Sequence, residues 1–244
     1  MPQTTLTVTA VPVLSDNYSW ILRNSQTGAT ALIDPPDFAP IDAALKSMGG
    51  RLDVILLTHH HPDHVAAAEE FATAYGAKII GAKADAYRLP KLDQQVVEGD
   101  EVRVGNATGV VIETPGHTVG HIAYYFAAGP ILFCGDTLFS LGVGRFFEGT
   151  PAQMFSSLAK FASLPDETLV CCGHEYTLGN AEFAITAEPE NKALQARVTE
   201  VRSLRAKNIA TVPSTLGSER AANPFLRAAT AERLGELREA KNRM

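Results

Sequence analysis

The chain is poor in cysteine, and its few thiols are not laid out as a framework. Cys134, Cys171 and Cys172 are an odd number, and all three lie in apolar runs. A disulfide scaffold is built from paired cysteines in a small, loop-rich secreted chain, so these read as reduced thiols of a cytoplasmic protein. Long hydrophobic runs are missing too: no stretch reaches the roughly 20 apolar residues that a bilayer span requires. The opening MPQTTLTVTAVPVL has no basic region followed by an apolar core, so no secretory signal is expected there. There is no internal repeat and no low-complexity linker. Nor is there one sign of charge throughout. The net charge is −6, yet residues 191–244 hold eleven Lys/Arg against five Asp/Glu, and the first 190 residues ten against twenty-two. A basic tail segment on an acidic body is either an anion-binding surface or a solvated helical face. With 244 residues the chain can bury one large core, or a large and a small one.

What the chain does have is histidine in telling places. Five of its seven histidines, with two aspartates, stand where metal ligands would: His59, His61, Asp63 and His64 in THHHPDH, His117 in PGHTVGH, Asp136 in CGDT and His174 in CGHEY. Seven imidazole and carboxylate donors suffice for two ions that share one carboxylate. That donor chemistry suits zinc, iron or manganese better than the oxygen cages of calcium or magnesium. The placement supports it. Arg51–Leu57 reads as a short apolar strand, and Pro62 suits the first turn of a helix. Val65, Ala68, Glu69, Phe71, Ala72 and Tyr75 then follow a helical period. The histidines therefore fall on a strand-to-helix turn, where an α/β sheet collects functional groups. The runs ending at Asp136 and His174 repeat the design, each an apolar strand, a glycine and a ligand type. Solvated loop histidines would not be arranged so. His60 points between two ligands and is not expected to be one, and His121 opens the strand His121–Phe126 in a structural role.

Elsewhere the pattern alternates. Strands are expected at Leu6–Val13, Tyr18–Arg23, Ala29–Asp34, Lys78–Ile80, Val102–Val104, Val110–Thr114, Ile122–Phe126, Ile131–Cys134 and Thr168–Cys171. Helices are expected at Ile41–Met48 and Ala152–Leu164. After His174 strands stop, and helices are expected at Asn180–Ala187, Asn191–Asn208 and Ala231–Lys241, with a loop at Thr211–Gly217. The order implies two stacked sheets with helices outside, then a small helical domain beginning near residues 172–176.

Read in order, these residues resemble the metallo-β-lactamase superfamily, an αββα sandwich, through HxHxDH at His59–His64 and the later donors. DNYSW (16–20), TPGHTVGH (114–121), GDTLFSLGVGRFFEGT (135–150), GHEYT (173–177), TVPSTL (211–216) and NPFLR (223–227) resemble, more narrowly, the glyoxalase II (hydroxyacylglutathione hydrolase) family. The resemblance spans nearly the whole chain. It implies an α/β catalytic domain over 1–174 and a helical substrate-binding domain over 175–244. It implies two divalent ions per chain, zinc first and iron or manganese also accepted. His59, His61 and His117 would hold one ion, Asp63, His64 and His174 the other, and Asp136 would bridge them. The substrate would be a glutathione thioester held by Arg145, Phe147, Tyr176 and the basic pair Arg238 and Lys241, with Phe147 standing where a tyrosine is frequent. Val143 and Met244 also depart from the commonest pattern, where a cysteine and an aromatic are usual. Asp34, in Leu32-Ile33-Asp34-Pro35, is either a turn-forming residue or, as the superfamily suggests, a carboxylate behind the ligand histidines.

The implied reaction is hydrolysis of S-D-lactoylglutathione to glutathione and D-lactate, the second step of methylglyoxal detoxification. Water between two cations loses its proton near neutral pH and attacks the thioester carbonyl, with Asp63 directing it. The thiolate leaves without a dedicated acid. A monomer is expected, with neither nucleic acid nor membrane as partner. Three other readings stand beside this: a nuclease or lactonase of the same fold, a mononuclear iron persulfide dioxygenase, and a binding module that has lost catalysis. The complete donor set argues against the last two.

Overall fold

A computed structural model describes residues 6–244, so the first five residues of the MPQTTLTVTAVPVL stretch lie outside the described part. The chain divides into two compact units, one of residues 1–113 and 120–135, the other of 114–119 and 136–244.

The first unit carries two sheets. β1 (Leu6–Val13), β2 (Asn17–Asn24) and β3 (Thr30–Ile33) are antiparallel neighbours. After α1 (Phe38–Ser47) the direction changes: β4 (Val54–Leu56), then β5 (Lys78–Ala82) and β6 (Gln94–Val96) add in parallel, following α2 (Pro62–Val65) and α3 (Ala68–Tyr75). The register explains the packing. Ile21, Leu32, Ile55 and Ile79 pair in one row across four strands, and all are buried. That row meets Ile41 and Leu45 of α1 and Phe71 of α3, the helical positions spaced to share a face. The neighbouring row, Ile33, Leu56 and Ile80, is equally buried on the other side, as the two-residue period of strands requires. The second sheet is an antiparallel run of β7 (Glu101–Val104), β8 (Ala107–Glu113), β9 (Ile122–Phe126) and β10 (Ile131–Gly135). Tyr124 of β9 reaches over to the first sheet and donates to the Leu57 carbonyl at 2.9 Å. Such buried rows are worth about 1.5–3 kcal/mol per large apolar side chain.

The second unit is mainly helical. A two-residue hairpin, β11 (Leu138–Phe139) and β12 (Gly142–Val143), leads to α4 (Pro151–Lys160). Thr150 and Gln153 close a reciprocal cap at the start of α4, and Pro151 occupies its first position. β13 (Leu169–Cys172) pairs with the short β14 (Ser214–Thr215). Between and after them lie α5 (Thr177–Ala187), α6 (Lys192–Arg205), α7 (Leu216–Ala222) and α8 (Ala231–Asn242). Leu194, Val198 and Val201 of α6 form a buried stripe against Ala181 and Ala184 of α5 and Ala222 of α7. No helix of the described residues is long and apolar enough to cross a membrane.

Several boundaries differ from the sequence reading. α1 starts at Phe38, three residues early, with Pro40 inside its first turn, where a missing N–H is harmless. The helix expected after the histidines is broken into α2 and α3 at Ala66 and Ala67. The polar stretch before Val102 holds β6, and the loop expected at Thr211–Gly217 holds β14 and opens α7.

Candidate active site

In the first unit the ligand-type side chains occupy the turn between β4 and α2. His59 and His64 are buried, whereas His61 and Asp63 reach partly to solvent. Asp34 lies behind them, immediately after β3 and 4% exposed. Its φ of +51° is a left-handed conformation that aspartate tolerates better than most residues. One carboxylate oxygen accepts the Thr58 amide at 2.8 Å; the other accepts the Thr58 hydroxyl at 2.7 Å and His64 Nδ1 at 3.1 Å. Because the Thr58 proton goes to Asp34, Thr58 Oγ1 is left to accept from His59 Nδ1 at 3.0 Å. One carboxylate thus puts the proton of both imidazoles on Nδ1 and the lone pair on Nε2. His59 Nε2 stands 3.1 Å from His61 Nδ1, and His64 Nε2 stands 3.6 Å from Asp63 Oδ2. Asn17 Nδ2 holds Asp63 by donating to its side chain at 3.0 Å and its carbonyl at 3.1 Å.

The other two histidines of this unit do different work. His121 is buried and stacks on the His59 ring, with centroids 4.8 Å apart and planes 23° apart. Gly135 must be glycine beside it: its φ is +45°, and a Cβ there would collide with the Thr58 hydroxyl and come within 2.8 Å of His121 Nε2. His60 turns to Asp85, with Nδ1 3.1 Å from Oδ2.

In the second unit His117 Nδ1 donates to the Arg145 carbonyl at 2.8 Å, so its lone pair also falls on Nε2. That nitrogen is 3.4 Å from Asp136 Oδ2, and His174 Nε2 is 3.4 Å from the same oxygen. One carboxylate oxygen therefore stands equally between two imidazoles. The turn bearing His117 is stitched to the following loop through Glu148 N to the His117 carbonyl and Gly149 N to the Gly116 carbonyl. Tyr176 stacks on His174 at 4.5 Å and 8°, and Phe139 meets both rings edge-on. Phe147 meets His117 edge-on at 5.3 Å and is 63% exposed.

A cavity of about 760 Å³ in this unit is lined by His117 and Asp136 together with Arg145, Phe147, Tyr176, Arg238, Lys241, Val143 and Met244. Arg238 is 5% exposed and donates to the Val143 carbonyl at 2.9 Å and to Asn242 at 3.1 Å. Burial, helped by Arg145, lowers its pKa to about 10. Burial, then Arg238, then Arg145, lower that of Lys241 to about 7. Among the described residues none of these three cations has a carboxylate partner, which is how an anion site looks before its anion arrives. Glu175 lines the same cavity, but its carboxylate is taken by Thr211 N at 2.8 Å and Thr211 Oγ1 at 2.5 Å.

The donors gathered in each unit fit divalent transition ions: imidazole lone pairs and carboxylate oxygens converge, and the orienting nitrogens of His59, His64 and His117 are already spent on the protein. Thiolates take no part. All three cysteines are buried and unbridged, and burial pushes the Cys172 thiol up to about 12. Sequence reading missed Asn17, Thr58 and Asp85. Asn17 stood in the quoted DNYSW motif and Thr58 directly before His59; Asp85 left no signal in the sequence.

Known proteins match the chain in two consecutive parts. Residues 14–174 match the family model of the metallo-beta-lactamase superfamily, and residues 175–244 that of the hydroxyacylglutathione hydrolase C-terminus. A hydroxyacylglutathione hydrolase of Rhodospirillum rubrum is 54% identical over 228 residues, which cover 93% of this chain and 89% of the relative. Among solved structures, ETHE1 from Myxococcus xanthus superposes with a TM-score of 0.74 at 27% identity, covering 97% of this chain and 91% of that one. A di-iron-bound form of TTHA1623 superposes with a TM-score of 0.57 at 28% identity, covering 69% of this chain and 91% of that one. The helices beyond residue 174 thus match a family of their own, and the chain belongs to the hydroxyacylglutathione hydrolase family of the metallo-β-lactamase superfamily.

Proposed function

We propose that the chain hydrolyses the thioester of S-2-hydroxyacylglutathiones, releasing glutathione and a 2-hydroxy acid, D-lactate in methylglyoxal detoxification. The name its relatives carry supports this. The observation that carries it is the cavity in which ligand-type His117 and Asp136 share walls with the basic cluster Arg145, Arg238 and Lys241. About 760 Å³ is in the range of small-molecule sites and has room for a tripeptide thioester.

We assign His59, His61, Asp63, His64, His117, Asp136 and His174 as ligands of two divalent ions, zinc before iron or manganese. The position of Asp136 Oδ2, equidistant from two imidazoles, supports its role as the shared ligand. Divalent ions held there would supply an activated water near neutral pH and polarise the thioester carbonyl. The rest is done by side chains. Asp34 keeps the His59 and His64 lone pairs on Nε2. Asp63, steadied by Asn17, accepts a hydrogen bond from the attacking water and aims it. Arg238 and Lys241 grip a carboxylate of the glutathione moiety, and Arg145 adds to that field. Tyr176 offers a ring and a hydroxyl to the peptide, whereas Phe147 offers only a ring. The thiolate is a stable anion and leaves unassisted. Residues 1–174 serve as the catalytic part and 175–244 as the substrate-binding part. A monomer is proposed, and three unbridged thiols suit the cytoplasm.

The deciding experiment is thiol release from S-D-lactoylglutathione by purified, metal-loaded protein; no release would remove this reading. Elemental analysis of the fully active protein should give two ions per chain, and one ion per chain at full activity would end the two-ion assignment. Asp34→Asn should weaken zinc binding about tenfold, because the amide cannot accept on both sides as the carboxylate does. Competition with a chelator measures this, and unchanged affinity would leave Asp34 a turn residue.

A further inference from the structure

Asp85 takes no part in the ligand set, yet it is a fully buried carboxylate beside it. Its two oxygens are divided. Oδ1 accepts from Arg88 Nη2 at 2.5 Å and Nε at 3.2 Å, and Oδ2 faces His60 Nδ1 at 3.1 Å. Arg88 neutralises the carboxylate, which would otherwise be costly to bury. His60 in turn lies edge-on to His61, with ring centroids 4.9 Å apart and planes 63° apart. His61 is the ring whose Nδ1 must face His59 Nε2. The Asp85 carboxyl also fills the space above Gly120, so that a Cβ there would collide with it. The next residue is His121, the ring stacked on His59. Asp85 therefore touches His60, the neighbour of His61, and packs on Gly120, the residue before His121.

We infer that Asp85 is a positioning residue that braces the His59–His61 turn through His60 and so sets the affinity of the chain for its ions. The inference rests on the ligand assignment proposed above. Asp34 fixes the proton positions of His59 and His64. The Asp85–His60–His61 series reaches the His61 ring from the other direction. An amide at position 85 that keeps its oxygen on Arg88 turns its NH2 to His60 Nδ1, which it can hold only in the opposite tautomer and without the carboxylate's charge, so Asp85→Asn weakens the brace with little change in volume.

Zinc affinity by chelator competition, measured on wild type, Asp85→Asn, His60→Ala and the double variant, tests this, with thermal unfolding of the metal-free forms alongside. Asp85→Asn is expected to lose about tenfold in zinc affinity, as residues that orient ligands do. His60→Ala should lose a similar factor, and the double variant no more than either alone, because both act along one path. Metal-free midpoints should fall together within a few degrees. Unchanged zinc affinity in Asp85→Asn, or losses that multiply in the double variant, would overturn the inference. If Asp85→Asn does not fold, Gly120→Ala displaces the same carboxyl by one methyl and should lower zinc affinity; wild-type affinity in that variant would overturn it equally. Wild type that holds no zinc, iron or manganese at all would overturn the ligand assignment itself, which separates the two failures.

Discussion

Replacing Asp136 by alanine should lower kcat for a glutathione thioester by roughly a thousandfold, the upper range for loss of one preorganised electrostatic group. The side chain is small and its loss leaves little cavity, so the cost falls on chemistry. Its Oδ2 stands 3.4 Å from both His117 and His174 Nε2, so the substitution removes the carboxylate from between them. The control is His121→Ala. That ring is buried and stacked on His59, so its removal opens a cavity and loosens a ligand ring without removing a donor. It should cost stability first and activity by a much smaller factor. Steady-state kinetics at saturating metal compare the two, and equal losses in kcat would mean that His121 belongs among the ligands.

The contrast between those two residues shows what one sequence can disclose. Asp136 and His174 announce themselves because each follows an apolar strand and a glycine, and strands with apolar cores are legible from composition. His121 looked structural because it opens a strand, and its stacking on His59 agrees with that. Elements held by tertiary contacts were not legible. β14 has two residues and β6 three, too short to show a period. α7 starts from Thr215 and Ser218, which cap each other, in place of the glutamate or glutamine that usually marks such a start. The NPFLR stretch carried the family resemblance without a visible reason. The reason is Asn223, whose amide donates to the Phe139 and Gly142 carbonyls at 3.1 Å, while buried Glu219 accepts the Leu141 amide at 2.8 Å. Two side chains of one helical segment thus shape the hairpin ending at Val143, and Arg238 is tied to the Val143 carbonyl. Asp34 was ambiguous in the sequence because a turn and a hydrogen-bonding role both call for aspartate before proline. Its backbone is left-handed, and its carboxylate meets the Thr58 amide, the Thr58 hydroxyl and His64 Nδ1.

Arg238→Ala should raise KM for the glutathione thioester ten- to a hundredfold while kcat changes little. A charge-assisted hydrogen bond is worth on the order of 1.5–3 kcal/mol. A grip on a distant carboxylate is the same in ground and transition states, so its loss appears in KM. Arg238 is also buried and bonded to Val143 and Asn242, so this variant should lose some stability as well. Lys241 gives the cleaner test because its charge can be removed by pH. Its pKa is lowered to about 7 by burial, Arg238 and Arg145, whereas Arg238, lowered to about 10, stays charged across the working range. Below pH 7 the lysine is protonated and attracts the carboxylate; above it the ammonium is lost and attraction falls. KM should therefore rise as pH increases through about 7, and a bound anion, by favouring the protonated form, should move that rise upward. Lys241→Met removes the titrating group and should flatten the KM profile at the high value, with kcat unaffected. A thioester lacking the peptide should show neither effect. Should KM for Lys241→Met follow the wild-type pH curve, the lysine does not hold the substrate; a similar loss on both substrates would instead point to a damaged fold.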